Sequence, residues 1–287
     1  MKGLLKRLVS RGYVQDFCGE SLGTFILVFF GCGSVAVSVL FSAYQGLFQI
    51  AAVWGIGVTL AIYASRGLSC AHLNPAVSIA FVCAKRMPAR KLPVYLIAQF
   101  TGAFIAGLLL YLIFSGSIAK FELANNLIRG SFESVRTAMI FGEYFPNPSI
   151  REEIISVSSF NAFIAEGLGA FLLILLIFFI TEGCNLGRPD SSIAPVFIGG
   201  AVAGLISIIA PLTQAGLNPA RDFGPRLAAY LAGWGQIAIP GPGGGFFVVY
   251  MLAPVSGGIL AAFIFTKIIQ PFMESKVICG KGCHEKN

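Results

Sequence analysis

Long uncharged apolar runs alternate with short polar or basic segments along almost the whole chain. About 20 apolar residues cross ~30 Å of hydrocarbon as a helix, and six runs meet that length: residues 17–41, 46–65, 92–119, 157–181, 192–212 and 244–266. Four of the six hold no formal charge; the other two hold one each, Glu20 and Glu166. Two further apolar stretches, 75–84 and 219–234, are too short to cross, because about ten residues at 1.5 Å rise reach only half a bilayer. Each starts at a Pro preceded by an Asn, Asn74-Pro75-Ala76 and Asn218-Pro219-Ala220. Asn is a strong helix cap, and Pro suits the first helical position, where no N–H is needed. The pattern therefore predicts six transmembrane helices and two half-helices that begin abruptly at mid-membrane.

Irregular backbone at membrane depth is tolerated only where protein buries it or a wet cavity adjoins it. The segments ahead of the two caps, 67–73 and 211–217, are such backbone, so the sequence demands a cavity there. The two halves also repeat. Ala71-His72-Leu73-Asn74-Pro75-Ala76 returns as Ala215-Gly216-Leu217-Asn218-Pro219-Ala220, 144 positions later, and Glu20-Ser21-Leu22-Gly23 returns as Glu166-Gly167-Leu168-Gly169, 146 later. Three spans per unit is odd, so the second unit enters the membrane upside down. Inverted repeats of this kind place their sites near the midplane, at the repeat interface. Glu20 and Glu166, at matching places, are expected to accept hydrogen bonds from the two re-entrant loops rather than to relay protons.

Composition sharpens the class. The 287 residues are 56% hydrophobic and 11% charged, with a mean hydropathy of +0.81. A soluble domain of this size needs far more charge. The net charge of +7 would suit nucleic acid if it were patched, but the basic residues sit between apolar runs, as juxtamembrane anchors do. Clusters at Lys2, Lys6, Arg7 and Arg11, at Lys85, Arg86, Arg90 and Lys91, and at Lys267, Lys276, Lys281 and Lys286 place both termini in the cytoplasm by the positive-inside rule. No small-residue cleavage site follows the first apolar run, so no cleaved signal is expected. The expected layout is a cytoplasmic segment 1–16, a membrane domain 17–267 (repeat one 17–119, repeat two 157–267) and a cytoplasmic tail 268–287. Cys279, Cys283 and His284 fall short of a zinc set, and no metal or cofactor is expected.

Paired Asn-Pro-Ala half-helices in a three-plus-three inverted repeat resemble the aquaporin family of major intrinsic proteins. The resemblance runs from about residue 17 to 267. The stretches SCAHLNPAVSIA, RGSFESV, APLTQAGLNPARDFGPR and LAGWG, and the Asp222 and Arg226 that follow the second motif, are similar to the glycerol-conducting branch. Tyr250-Met251 departs from that branch, where Pro-Leu is usual. The resemblance implies an all-α channel for glycerol, other small neutral solutes and water that excludes ions and protons, assembled as a homotetramer in the cell membrane. It implies Asn74 and Asn218 as pore donors, a filter of Phe48, Ile206, Ala215 and Arg221, and a ladder of carbonyls from Cys70, Ala71, His72, Gln214, Ala215 and Gly216. Asp222 and Arg226, at i and i+4, suit a structural ion pair.

Other readings stay open at this stage. Within channels they are water alone, urea or a neutral metalloid hydroxide. An ion-coupled transporter also uses broken helices, but such machines need carboxylates near the substrate. A structural junction protein would pass no solute. No nucleophile–base pair or metal set in the spans suggests an enzyme.

Overall fold

The computed structural model describes residues 12–44 and 46–275. Cys279, Cys283, His284 and the terminal lysines and arginines lie outside them. Six long helices and two short ones carry the fold: α1 Tyr13–Phe41, α2 Leu47–Ser65, α3 Pro75–Cys83, α4 Leu92–Ala124, α5 Ser159–Thr181, α6 Ala194–Thr213, α7 Pro219–Ala229 and α8 Phe247–Ser275. The six long ones are each apolar and long enough to span a bilayer. A helix satisfies its own backbone, which lipid cannot do. Among the described residues there is no strand.

The helix ends depart from the apolar limits in informative places. α1, α4 and α8 run past the hydrocarbon-length runs at Tyr13, Ala124 and Ser275, so polar turns extend them. The second half-helix stops at Ala229, five residues early, and the chain widens into a turn over Tyr230–Trp234 that closes at Gly233 with φ 105°. That left-handed backbone suits glycine.

Packing follows the inverted repeat. α1 lies against α2 and α4, and α5 lies against α6 and α8 in the same manner. α2 packs on α6 across the repeat boundary. Each half-helix is clasped by the last span of the opposite repeat, α3 by α8 and α7 by α4. Small residues set the closest crossings, as is usual where lipid supplies no hydrophobic drive between helices. A Cβ on Gly102 would meet Ser21 O at 2.1 Å, and one on Gly257 would meet Gly167 O at 2.0 Å. Gly55 and Gly199 face each other across the boundary, with a Cβ on either meeting the other's carbonyl oxygen at 2.6 and 2.3 Å. The connection between repeats folds onto the second half-helix, where Trp234 is fully buried and donates from Nε1 to Thr137 Oγ1 at 3.1 Å.

Candidate solute passage

The two re-entrant loops share one construction. Ala71 and Leu73 adopt left-handed φ of 51° and 54°, and Ala215 and Leu217 match them at 61° and 53°. Each such non-glycine residue costs about 1–2 kcal/mol, so the loops need anchors. Glu20 Oε1 accepts from His72 N–H at 2.9 Å and Ser69 Oγ at 2.8 Å, and its Oε2 accepts from Leu73 N–H and Gln99 Nε2, both at 2.7 Å. Glu166 Oε1 accepts from Gly216 N–H at 2.9 Å and Thr213 Oγ1 at 2.6 Å, and its Oε2 accepts from Leu217 N–H at 2.7 Å. Both carboxylates are fully buried. They hold loops, the arrangement that their matched positions suggest.

Beyond each loop the Asn caps its half-helix. Asn74 Oδ1 accepts from Ala76 N–H at 2.9 Å, and Asn218 Oδ1 accepts from Ala220 N–H at 3.0 Å and Arg221 N–H at 3.2 Å. The amide nitrogens cross the repeat boundary: Asn74 Nδ2 donates to Leu217 O at 3.0 Å and Asn218 Nδ2 to Leu73 O at 2.8 Å. The two half-helices thus meet tip to tip. An amide NH2 has two protons, so one proton of each Asn is left for a third party. Each helix N-terminus carries roughly +0.5 elementary charge, and the two converge here.

A cavity of about 320 Å³ runs past this junction, and Asn74, Asn218 and Arg221 all line it. Its wall includes Arg66, Arg188 and Ser191, and also Cys70, Ala71, His72, Ala215 and Gly216. Among the described residues no protein N–H bonds the carbonyls of Cys70, Ala71, His72, Gln214, Ala215 or Gly216. Gln214, expected in the ladder, does not line the cavity, and its side chain points elsewhere. It takes Tyr144 N–H at 2.9 Å and so ties the inter-repeat connection to the second loop.

Arg221, Ile206 and Ala215 come together at the cavity wall, but Phe48 does not. Phe48 sits in the first turn of α2, is 68% exposed and lies outside the cavity lining. From the same helix, Trp54 lines the cavity. Its ring is 3% exposed and lies 4.0 Å from the Arg221 guanidinium carbon. Six residues of helix separate the two, about 9 Å along the axis and about 240° around it, so Phe48 lies on an exposed face while Trp54 lines the cavity. Trp54 packs on Gly31, where a Cβ would meet its ring at 2.2 Å. The available signal was that Trp54 lies deep in an apolar span as one of two tryptophans in the chain.

A second residue escaped the sequence reading. Glu143, from the inter-repeat connection, forms an ion pair with Arg221 through Oε1 and Nη1, both side chains being 4% exposed. Nothing in spacing marks a loop residue 78 positions upstream as a partner. Beside it, Arg226 and Asp222 form the expected ion pair, at 2.9 Å and fully buried. Arg226 Nη1 also donates to Ala238 O at 2.8 Å.

Three further residues are settled by their contacts. Tyr250 is buried behind the second loop, donating to Thr213 O at 3.0 Å, and does not line the cavity. His72 lines it, with Nδ1 3.2 Å from Ser78 Oγ and Nε2 without a protein partner among the described residues. Cys70 lines it too, as an exposed free thiol. Among the described residues no cluster of His, Cys, Asp and Glu could hold a metal ion.

Comparison with known proteins gives concordant matches. The profile described as "Major intrinsic protein" matches residues 7–265. The chain is 43% identical over 271 residues to a glycerol uptake facilitator protein of Pseudomonas aeruginosa, covering 93% of each. It is 40% identical to that of Haemophilus influenzae, covering 92% of this chain and 96% of the relative. It is 39% identical to the propanediol uptake facilitator PduF of Salmonella typhimurium, covering 88% and 93%. Among solved structures, the aquaglyceroporin of Plasmodium falciparum aligns with a TM-score of 0.76 at 28% identity, covering 91% of this chain and 99% of that one.

Proposed function

This chain belongs to the major intrinsic protein family, and from that premise we propose that it is a passive channel for glycerol, related small polyols and water that turns back ions and protons. The observation that carries the reading is the abutment of the two half-helices, with Asn74 and Asn218 each donating across the repeat boundary and each facing the same cavity. Relatives named for glycerol and propanediol uptake supply the substrate class.

The residues divide the work as follows. A water or hydroxyl at the junction accepts one N–H from each Asn. With both lone pairs engaged it cannot accept a proton from the next molecule in file. Two positive helix ends at the same point oppose cations, and aquaporin-type pores are the standing example of half-helix dipoles and an arginine doing so. At the filter, Trp54 and Ile206 present apolar walls to the CH face of a polyol while Arg221 donates to its hydroxyls. The unbonded carbonyls of Cys70, Ala71, His72, Ala215 and Gly216, residues that all line the cavity, then accept those hydroxyl protons in turn. Pro75, Ala76, Pro219 and Ala220 shape the two caps, and Glu20, Glu166, Asp222 and Arg226 hold the frame. No covalent step and no cofactor enters this reading.

The chain is a multi-pass membrane protein. In the proposed orientation the channel unit 17–267 has both flanking segments, 1–16 and 268–287, in the cytoplasm, because Lys85, Arg86, Arg90 and Lys91 follow the first half-helix and basic loops stay inside. A homotetramer with one passage per subunit is the assembly that the family resemblance suggests. Stopped-flow swelling of proteoliposomes under gradients of glycerol, 1,2-propanediol and urea, with water flux in parallel, tests the reading. Polyol swelling far above that of empty liposomes, with no ion gradient applied, is the expected result. Flux that needs an ion gradient would make the protein a coupled transporter, and no flux at all would remove the channel.

A further inference from the structure

We infer that Arg66 and Arg188 form a binding site for a phosphate-class dianion at one mouth of the passage, and that the bound anion throttles solute flux. The effect on flux rests on the channel reading above; the site itself stands on the arrangement of its own residues.

Among the described residues, the charged side chains that line the cavity are three arginines, Arg66, Arg188 and Arg221, and no carboxylate lines it. Arg221 is already paired with Glu143. Arg86, Lys91, Arg129 and Arg226 are paired in the same way, with Glu182, Asp16, Glu122 and Asp222. Arg66 and Arg188 have no such ion pair among the described residues. Arg66 follows Trp54 by twelve positions, and helical backbone continues to it with φ −63° and ψ −17°. That places it about 18 Å along the axis from the ring that covers Arg221. In the proposed orientation this end is the cytoplasmic mouth.

The segment between α5 and α6 presents the other half of the site. Asn185 Nδ2 donates to Phe179 O at 2.8 Å, its Oδ1 accepts from Gly187 N–H at 3.1 Å, and its carbonyl accepts from Arg188 N–H at 3.2 Å. The far end of the segment is clipped to α2: the Tyr63 hydroxyl donates to Ser192 O at 2.7 Å, and Arg66 Nη1 donates to Ser191 O at 2.9 Å. Arg66 Nε and Nη2, the whole Arg188 fork and the Ser191 hydroxyl have no protein acceptor among the described residues. Asp190 is the acid that both guanidinium groups feel. Its Oδ1 takes Ser192 N–H at 2.7 Å and Ser192 Oγ at 2.6 Å. Those bonds, and after them the charges of Arg188 and Arg66, hold its carboxyl below the usual range. Both arginines therefore act on one point, and a single carboxylate already engaged by Ser192 does not neutralise the two of them.

A phosphate group fits what is left over. A guanidinium fork presents parallel N–H groups to an oxyanion, and the three terminal oxygens of a phosphate monoester serve two forks and the Ser191 hydroxyl together. Its double charge answers two arginines, where a carboxylate would answer one. Seated in the mouth, the anion stands in the path of a neutral solute, and its own desolvation cost keeps it from following through apolar walls. The ligand class is inorganic phosphate and phosphate monoesters, either free or on a lipid headgroup.

Two measurements on the full-length protein test this. In detergent, line broadening of inorganic phosphate in phosphorus NMR reads binding without reference to transport. Arg188→Gln, which removes a side chain with no protein hydrogen bond, should weaken binding about ten-fold, the factor of one charge-assisted contact. Asp190→Asn, which removes the competing acid, should tighten it. In phosphatidylcholine liposomes, glycerol permeability in phosphate is divided by that in chloride at equal ionic strength. The quotient should fall as phosphate fills the site and recover in Arg188→Gln. Phosphatidic acid in phosphate-free liposomes separates the sources. A loss of flux there, reversed by Arg188→Gln and not deepened by phosphate, makes the occupant a lipid headgroup; a loss with phosphate in pure phosphatidylcholine makes it a free anion. Phosphate that does not bind, or binds wild type and Arg188→Gln equally, overturns the site. Flux unmoved by both phosphate and phosphatidic acid overturns the throttle. Phosphate bound in detergent by a protein whose liposomes pass no glycerol would overturn the channel reading instead.

Discussion

The two re-entrant loops are built alike and equipped differently. Ser69, His72 and Leu73 meet Glu20 as Thr213, Gly216 and Leu217 meet Glu166, and the left-handed turns fall at matching residues. Past the caps the likeness ends. In repeat one the half-helix carries Val77 and Ser78; in repeat two the same places hold Arg221 and Asp222. The first loop completes its frame with neutral groups, Gln99 Nε2 donating to Ser78 Oγ at 2.9 Å and Ser78 meeting His72. The second gathers four buried charged side chains, Arg221, Glu143, Asp222 and Arg226. The difference teaches that duplication supplied the scaffold of the cavity, and in the proposed channel discrimination among solutes rests on the residues that the repeats do not share.

The largest expected effect tests the shared part. Removing either anchor, Glu20→Ala or Glu166→Ala, orphans two buried backbone donors at once, at about 1–3 kcal/mol apiece, on loops already strained. Both variants should lose most of their folded yield, read by thermal unfolding in detergent, and to similar degrees. If one is tolerated and the other is not, the two frames are not equivalent. Next is Arg221→Val, which gives repeat two the residue that repeat one has. A unit charge within ~5 Å at an effective dielectric near 20 is worth about 3 kcal/mol, so proton or cation leak, followed by collapse of a pH gradient, should rise about ten-fold or more while glycerol still passes. Unchanged exclusion would remove Arg221 from the filter.

How much of this was legible in the chain depends on what enforces each feature. Lipid enforces composition, so six spans and two half-helices could be read to within a few residues at most ends. Asn-Pro enforces a helix start, and both caps lie where the sequence puts them. The filter is another matter. Which side chain of α2 reaches Arg221 depends on depth and rotation within a span that is apolar on every side, and no periodicity separates Phe48 from Trp54 there. Glu143 is harder still, because the connection that carries it has no pattern, and only the folded path brings it 78 positions forward to Arg221. Tyr250, where the sequence departs from the glycerol-conducting pattern, packs on Gly216 and does not line the cavity.

Smaller effects sharpen the contrast on α2. Trp54→Ala should widen the filter and admit five-carbon polyols several-fold faster, measured against glycerol in the same swelling assay. Phe48→Ala, on an exposed face, should stay within about two-fold of wild type. Equal effects of the two would return Phe48 to the filter. The smallest effect belongs to Cys70, in the wall of the first loop where the second has Gln214. Mercurials should slow flux partially, and Cys70→Ser should abolish that sensitivity. Persistent block would assign it to another thiol.

The most direct measurement pairs two readouts on one preparation: glycerol-driven swelling of liposomes and electrical conductance of planar bilayers carrying the same purified protein. Fast glycerol entry with no current above the bare bilayer is the expected result. Current through the protein, with glycerol entering no faster than into empty liposomes, would contradict a neutral-solute passage between the tips of the two half-helices.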